Sequence, residues 1–374
     1  MPTTTPTSPS SAGTGTTVPS SDSPEPSSAP AATSQATAEP AASSGELVAV
    51  GGGTGLSALL RGLKHHVGSS SLRQLTGVVT VTDDGGSSGR LRREFGVLPP
   101  GDIRNCLVAL ADDEDLLARL FQYRFPNGDG LLGHSFGNLF LTALTGITGD
   151  FHQAILTAEQ VLSVRGKIFP ATASDVRLRA RGISGRVYEG ESAVGLSNEE
   201  LAAVELDPAA PPAFPPAVAA LERADLILLG PGSLYTSILP NLLIPGIRQA
   251  VVKSQAPVIL LLNLMTQPGE TDGMMAIDHL RALERHVGSG VVDAVLVNST
   301  EIPPHLLSHY AETKSEPVAI QRPVLEGMGL EVVEADLLAE GDLIRHDSEK
   351  LAKAVLDLCD RRFGRCQPAA PTSR

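Results

Sequence analysis

The chain has 374 residues, 42% of them hydrophobic, enough to bury a substantial core as one large α/β domain or two modest ones. Its formal net charge of −13 argues against a nucleic-acid or anionic-membrane surface, and 3% aromatic content with no tryptophan argues against base-stacking platforms. The three cysteines, Cys106, Cys359 and Cys366, have neither metal-ligand spacing nor a disulfide framework, which fits a reducing cytoplasm.

Residues 1–44 are dominated by Ser, Thr, Pro and Ala, with Asp22, Glu25 and Glu39 as the acids and no Lys or Arg. Such a segment buries too little apolar surface to offset its ordering entropy, so a disordered tail is expected. It lacks the basic and apolar regions of a signal peptide, and no apolar run in the chain reaches the length of a membrane span.

The stretch Glu46–Lys64 reads as strand, glycine turn and helix. Leu47–Val50 is a short apolar run that suits a buried strand. Gly51, Gly52, Gly53, Thr54 and Gly55 follow, then Leu56, Leu59, Leu60 and Leu63 at helical spacing. A helix beginning there aims unpaired backbone N–H groups and its positive dipole end at an anion. The stretch matches neither G-x-G-x-x-G nor the P-loop pattern, so a tight turn without a ligand is the alternative at this point.

A second strand, Leu75–Val81, runs into Asp83, Asp84, Gly85, Gly86, Ser87, Ser88 and Gly89, read as a loop. Carboxylates beyond a parallel strand's C-terminus suit a magnesium ion bridging phosphates or ribose hydroxyls, with an Asp turn as the plainer reading. Arg90, Arg92 and Arg93 come next. Asp102 then reads as the N-cap of a helix over Ile103–Ala111, with Arg104 and Asn105 in its first turn. An arginine there opposes the helix dipole unless it meets an anion.

Asp115–Arg124 has the pattern of an amphipathic helix, and residues 134–143 of another on which His134 and Asn138 share a face. Phe151–Val164 is helical. Lys167–Tyr188 alternates in strand fashion with a turn at Ser184-Gly185, and Pro208–Pro216 reads as a connector. The third glycine turn follows strand Asp225–Leu229: Gly230, Pro231, Gly232 and Ser233, the last read as a helix cap or phosphate contact. Strand Pro257–Leu262 ends at Asn263 and a loop containing Thr266 and Gln267. Strand Asp293–Val297 ends at Asn298. A short strand over Leu330–Val333 and a closing helix over Ser348–Asp360 complete the chain.

Repeated strand ends in polar or glycine-rich loops predict a doubly wound α/β fold. It is a three-layer sandwich on a mainly parallel sheet, with the ligand crevice along the strands' C-terminal edge. The expected organisation is a tail (1–44), one α/β domain (45–362) and a short flexible tail (363–374). The glycine turns 51–55 and 230–233 are the expected phosphate cradles. Asp84, with Gly85, Gly86 and Ser87, is the expected metal or hydroxyl contact. Arg104, Asn105, His134 and Asn138 are further candidates, and Asn263, Thr266, Gln267 and Asn298 are placed to read a base or sugar.

On the motifs GGGTGLS (51–57), TVTDDGGSSGRLR (80–92), PPGDIRN (99–105), GHSFGN (133–138), GPGSLYTSILPNLL (230–243) and NLMTQPGETDG (263–273), the chain resembles the gluconeogenesis factor family. These YvcK-like proteins stand in the broader CofD-like group that includes 2-phospho-L-lactate transferase. The resemblance implies a Rossmann-like fold that binds nucleotide-sugars such as UDP-N-acetylglucosamine, with NAD as another occupant of the crevice. It also implies a cytoplasmic role in cell shape and growth on gluconeogenic carbon. The transferase relatives move a phospholactyl group from a guanylyl donor to a deazaflavin with magnesium. Two departures stand out: the long tail, and Met274 and Met275 where the family's pattern has an aromatic residue after GETDG.

Two functions from different classes follow. One is a nucleotide-sugar-binding regulator that orders a loop for a protein partner, expected as a homo-oligomer without nucleic-acid or membrane insertion. The other is a magnesium-dependent transferase acting on a nucleotide phosphoanhydride. An NAD-linked oxidoreductase is disfavoured by the missing G-x-G-x-x-G.

Overall fold

A computed structural model describes residues 45–112, 116–312 and 314–363. The expectations for the tails at 1–44 and 364–374, and for Cys366, lie outside these residues. In chain order the strands are β1 (Gly45–Gly51), β2 (Leu72–Val79), β3 (Lys167–Pro170), β4 (Arg177–Gly182), β5 (Val187–Glu189), β6 (Leu201–Asp207), β7 (Leu226–Leu229), β8 (Val258–Leu261), β9 (Ala294–Asn298) and β10 (Glu331–Ala335). Seven of them form one sheet in the order β10-β9-β8-β7-β1-β2-β3, and every pairing in it is parallel. The chain starts in the middle of this sheet, builds outward through β2 and β3, and returns to the other side of β1 with β7. The reversal leaves a crevice between the C-terminal ends of β1 and β7, the switch point where doubly wound folds hold ligands. A small antiparallel sheet, β5-β4-β6, stands apart.

The helices are α1 (Gly53–Leu63), α2 (Gly86–Phe95), α3 (Gly101–Leu110), α4 (Leu116–Gln122), α5 (Phe136–Thr148), α6 (Phe151–Val161), α7 (Glu191–Val194), α8 (Pro215–Arg223), α9 (Leu239–Leu242), α10 (Pro245–Lys253), α11 (Ala276–Val287), α12 (Pro304–Ala311), α13 (Arg322–Gly327) and α14 (Ser348–Phe363). They cover both sheet faces, and the strand pleat divides the core accordingly. Leu47 and Ala49 of β1, with Leu226 and Leu228 of β7, pack on one side with α1, α3 and α14. Val48, Val50, Ile227 and Leu229 pack on the other with α8–α11. Burial on both faces is why these strands read as unbroken apolar runs rather than alternating ones.

Four local expectations are corrected. Ser87–Gly89 belong to α2 rather than to a loop, because the chain turns at Gly85 and Gly86, where Gly86 takes φ +43°. Asp102 lies inside the first turn of α3; Pro100 is the N-cap, with no side-chain cap bond. His134 precedes α5 and shares no helix face with Asn138, because Ser135 caps the helix and accepts from the Asn138 N–H. Ser233 makes no capping bond to the π-helical turn Leu234–Ile238. Strand β6 also escaped sequence reading; its LAAVELD run buries Leu201, Val204 and Leu206 against the second core.

Candidate functional site

At the switch point two glycine turns meet. The first, after β1, opens α1 with Gly52 as an N-cap that contributes no side-chain bond, leaving first-turn N–H groups without such a cap. The second, Gly230–Ser233 after β7, packs directly against it. A Cβ on Gly55 would stand 2.4 Å from the Pro231 carbonyl oxygen, and one on Gly232 would stand 3.4 Å from the Gly52 oxygen. Asn241, fully buried, ties the first turn to the π-helical segment that follows the second, donating to the Gly51 oxygen (3.1 Å) and the Ser237 oxygen (2.7 Å).

Asn263 sets the second turn from below. Its side chain accepts from the Gly232 N–H at 3.1 Å and donates to the Gly232 oxygen at 2.9 Å. Gln267 donates to the Ser233 hydroxyl at 2.7 Å. The hydroxyl is therefore held by the loop after β8 and not by the helix. Asn263→Ala removes both contacts to Gly232 and leaves backbone groups short of partners, so a stability loss of about 1–3 kcal/mol is expected. Urea denaturation checks this; an unchanged midpoint would mean the turn holds itself.

The resulting cleft, about 490 Å³, is within the range of small-ligand pockets. Gly52, Gly53, Thr54 and Gly55 line it together with Pro231, Gly232, Ser233, Asn263 and Gln267. All nine are among the sequence candidates. Sequence reading missed Arg61, Asp102, Glu191, Thr236, Ser237, Arg345 and His346, which line it too. Arg61 and Arg345 supply cationic groups at the cleft, suited to a phosphate's outer oxygens. Burial pushes the His346 imidazole down to about 4, against a backbone hydrogen bond at Leu262 that raises it, so the ring is neutral.

Carboxylates line the same cleft. Burial pushes Asp102 up to about 6, Asp83 adds to the rise, and the Gly53 N–H and Arg104 oppose it. Burial also pushes Glu191 well up, followed by Asp102 and Asp83, while the Thr82 hydroxyl, donating at 3.0 Å, opposes the rise. A Cβ on Gly101 would meet the Asp83 Oδ2 at 2.6 Å, which places that carboxylate at the start of α3. Asp83 thus faces the cluster, whereas Asp84 accepts from the Ser192 N–H (2.9 Å) and hydroxyl (2.7 Å) at α7. Among the described residues no three His, Cys, Asp or Glu side chains converge as a metal site.

The remaining candidates lie off the cleft wall. Arg104 is buried and donates to the Ser135 hydroxyl (2.6 Å), the Asn138 Oδ1 (2.9 Å) and the Asn105 Oδ1 (2.6 Å). Burial, then Arg124, lowers it to about 10, so it remains a cation beneath Asp102. Ser87 and His134 Nδ1 lie 2.9 Å apart, both buried, and join α2 to the segment before α5. Thr266 pairs with the Glu316 backbone, its hydroxyl accepting at 2.9 Å. Asn298 donates to the Thr300 oxygen and accepts from the Leu337 N–H. A neighbouring cavity of about 1020 Å³, holding Met274, Arg285 and several acids, stands behind Tyr235 and Glu270. Gly273 lines it, and neither the 51–55 turn nor the 230–233 turn does.

The family profile described as 2-phospho-L-lactate transferase CofD matches residues 47–338. A putative gluconeogenesis factor of Nostoc sp. is 52% identical over 314 residues, covering 83% of this chain and 68% of that one. The gluconeogenesis factor of Bacillus subtilis is 48% identical over 309 residues, covering 82% and 96%. A crystal structure of a upf0052-family protein from Bacillus halodurans superposes with a TM-score of 0.80 at 45% identity, covering 84% of this chain and 99% of that one.

Proposed function

Because the chain belongs to the gluconeogenesis factor branch of the CofD family, we propose that it is a cytoplasmic regulator that binds a nucleotide-sugar of the UDP-N-acetylglucosamine kind. Its role is in cell shape and growth on gluconeogenic carbon. The observation that carries this reading is the contact of two glycine turns at the N-terminus of α1, inside a cleft with cationic groups at Arg61 and Arg345. Backbone N–H groups and guanidinium groups on one site suit a diphosphate. The Ser87–His134 hydrogen bond is the nearest thing to a nucleophile and base. Both residues are buried away from the cleft, and among the described residues no carboxylate bonds to the ring. This favours binding over turnover.

One observation favours the second reading, a magnesium-dependent transferase. Asp102 and Glu191 share the cleft wall with the phosphate turns, and their mutual repulsion is what a cation relieves. Magnesium commonly uses one or two carboxylates together with ligand phosphates, and these two would hold it. It would supply charge neutralisation on the phosphates.

Thermal denaturation with UDP-N-acetylglucosamine, UDP-glucose, GDP and NAD, each with and without magnesium, separates the readings. A ligand at a hundredfold over its Kd adds about 2.7 kcal/mol. Stabilisation by UDP-sugars without magnesium is the expected result. A response confined to GDP with magnesium would overturn the regulator in favour of the transferase, and no response to any of them would remove both.

A further inference from the structure

A separate cavity of about 500 Å³ lies between the last turn of α2 and strand β4. It shares no lining residue with the ligand cleft. The partition runs through Thr82, which lines this cavity and donates to Glu191, which lines the cleft. In a chain of net charge −13, four guanidinium groups converge here. Arg92 and Arg93 come from α2, and Arg177 and Arg179 from one face of β4. Four carboxylates, those of Asp84, Asp175, Glu189 and Asp207, stand among them. Most of these charges already have partners. Arg92 is buried, donates to the Val176 oxygen at 2.6 Å and pairs with Asp175. Arg179 pairs with Glu189 at 3.2 Å. Asp84 accepts from the Ser192 N–H and hydroxyl. Arg93, Arg177 and Asp207 are left over. Among the described residues none of these three side chains forms a hydrogen bond or an ion pair, although Arg177 and Asp207 are register partners across the β4–β6 ladder. Opposite charges so placed ordinarily close on each other.

We propose that this cavity is a second ligand site, for a small phosphorylated polyol of the sugar-phosphate class. Guanidinium forks from two elements, Arg93 on α2 and Arg177 on β4, take the oxygens of a phosphate in bidentate fashion. The Asp207 carboxylate, an acceptor without a donor, takes the hydroxyls that a polyol supplies. The mixed wall disfavours simpler occupants: a bare cation would face four guanidinium groups, and a polyphosphate four carboxylates. The volume also exceeds what a phosphate ion alone would fill and is within the range of small-ligand pockets. Occupancy bears on the cleft through α7. Thr82 and Asp84 both line this cavity and both hold the first residues of that helix, whose Glu191 lines the cleft. The proposal does not rest on the nucleotide-sugar reading, because the two cavities are distinct.

Titration calorimetry on the full chain, with glucose 6-phosphate, fructose 6-phosphate and inorganic phosphate as probes, tests the proposal. Both sugar phosphates are expected to bind, and more tightly than inorganic phosphate. Arg93→Gln and Arg177→Gln each weaken all three probes about tenfold or more. Both positions are exposed, and unchanged melting confirms that each variant folds. Asp207→Asn weakens the sugar phosphates and does not weaken inorganic phosphate, a split that a merely structural aspartate would not produce. Arg61→Gln, which alters the cleft, leaves the binding of all three unchanged. No binding of any probe at millimolar concentration overturns the proposal. So does binding that survives both arginine variants, or that is lost in Arg61→Gln and so belongs to the cleft. Sugar phosphates that bind no better than inorganic phosphate, and that ignore Asp207→Asn, overturn the polyol assignment.

Discussion

Gly55→Ala is expected to separate the two glycine turns and abolish stabilisation by nucleotide ligands. A Cβ at this position meets the Pro231 carbonyl oxygen at 2.4 Å and its carbon at 2.7 Å. Both are backbone atoms of a turn pinned at Gly232 by Asn263, so they cannot swing aside as a flexible side chain would. Overpacking of this kind costs about 1–3 kcal/mol, occasionally more. The effect on binding exceeds the effect on folding, because a phosphate held by N–H groups from one turn and cations beyond it depends on their relative placement to a fraction of an ångström. Gly327→Ala in α13 is the matched control: nothing lies within 4 Å of its Cβ. There alanine is expected to be neutral or to stabilise by up to about 1 kcal/mol through helix propensity. Denaturation midpoints and ligand-induced shifts for the two variants give the comparison. A Gly55→Ala protein that melts and responds like wild type would mean the turns are not in contact in solution.

That contact explains why the switch point was legible from sequence and the rest of the site was not. Close approach of two backbones demands glycine, and glycine next to an apolar run is visible in one dimension. The carboxylate wall is assembled differently. Asp102 comes from a helix that follows β2, and Glu191 from the four-residue α7 between β5 and β6 of the small sheet. Nothing in the stretch around Glu191 marks it, because its significance lies in Thr82 and Asp102, more than 80 residues away. Arg345 and His346 likewise reach the cleft from the segment before α14.

Polar residues at strand ends read from sequence as ligand contacts. In the fold, Asn298 serves the backbone of Thr300 and Leu337, and Thr266 that of Glu316. Backbone groups at the end of a strand need partners whether or not a ligand is present. Between the adjacent acids, the sequence reading favours Asp84. The structure turns Asp84 toward Ser192 and leaves Asp83 beside Asp102.

Asp102→Asn carries the second large expected effect, and its sign follows from the direction of the shift. The folded carboxyl titrates near 6 against an ordinary value of 3.8, so between those values the folded protein binds the extra proton. Stability therefore falls as pH rises through that window, and the full penalty remains above it. At 1.36 kcal/mol per unit, the penalty is at most about 3 kcal/mol at pH 8. Asparagine keeps a carbonyl oxygen for the Gly53 N–H and removes the charge, so the variant is expected to be the more stable protein at pH 8. Below pH 4 it should differ little from wild type. Some slope persists from Glu191, which ionises more readily once its neighbour is neutral.

The same substitution separates the two functional readings. A ligand whose phosphates meet the N–H groups of α1 feels Asp102 as repulsion, so without magnesium the variant is expected to bind a UDP-sugar more tightly. If magnesium bridges Asp102 to those phosphates, the variant instead loses the magnesium-dependent part of its affinity. Titration calorimetry at pH 8, with magnesium and with chelator, reads both. Tighter binding in chelator with no response to magnesium supports a regulator that uses the carboxylate to hold its affinity down. Loss confined to the magnesium arm assigns Asp102 to a metal-assisted transferase. Equal loss in both arms contradicts the repulsion argument and makes Asp102 a direct partner of a ligand hydroxyl.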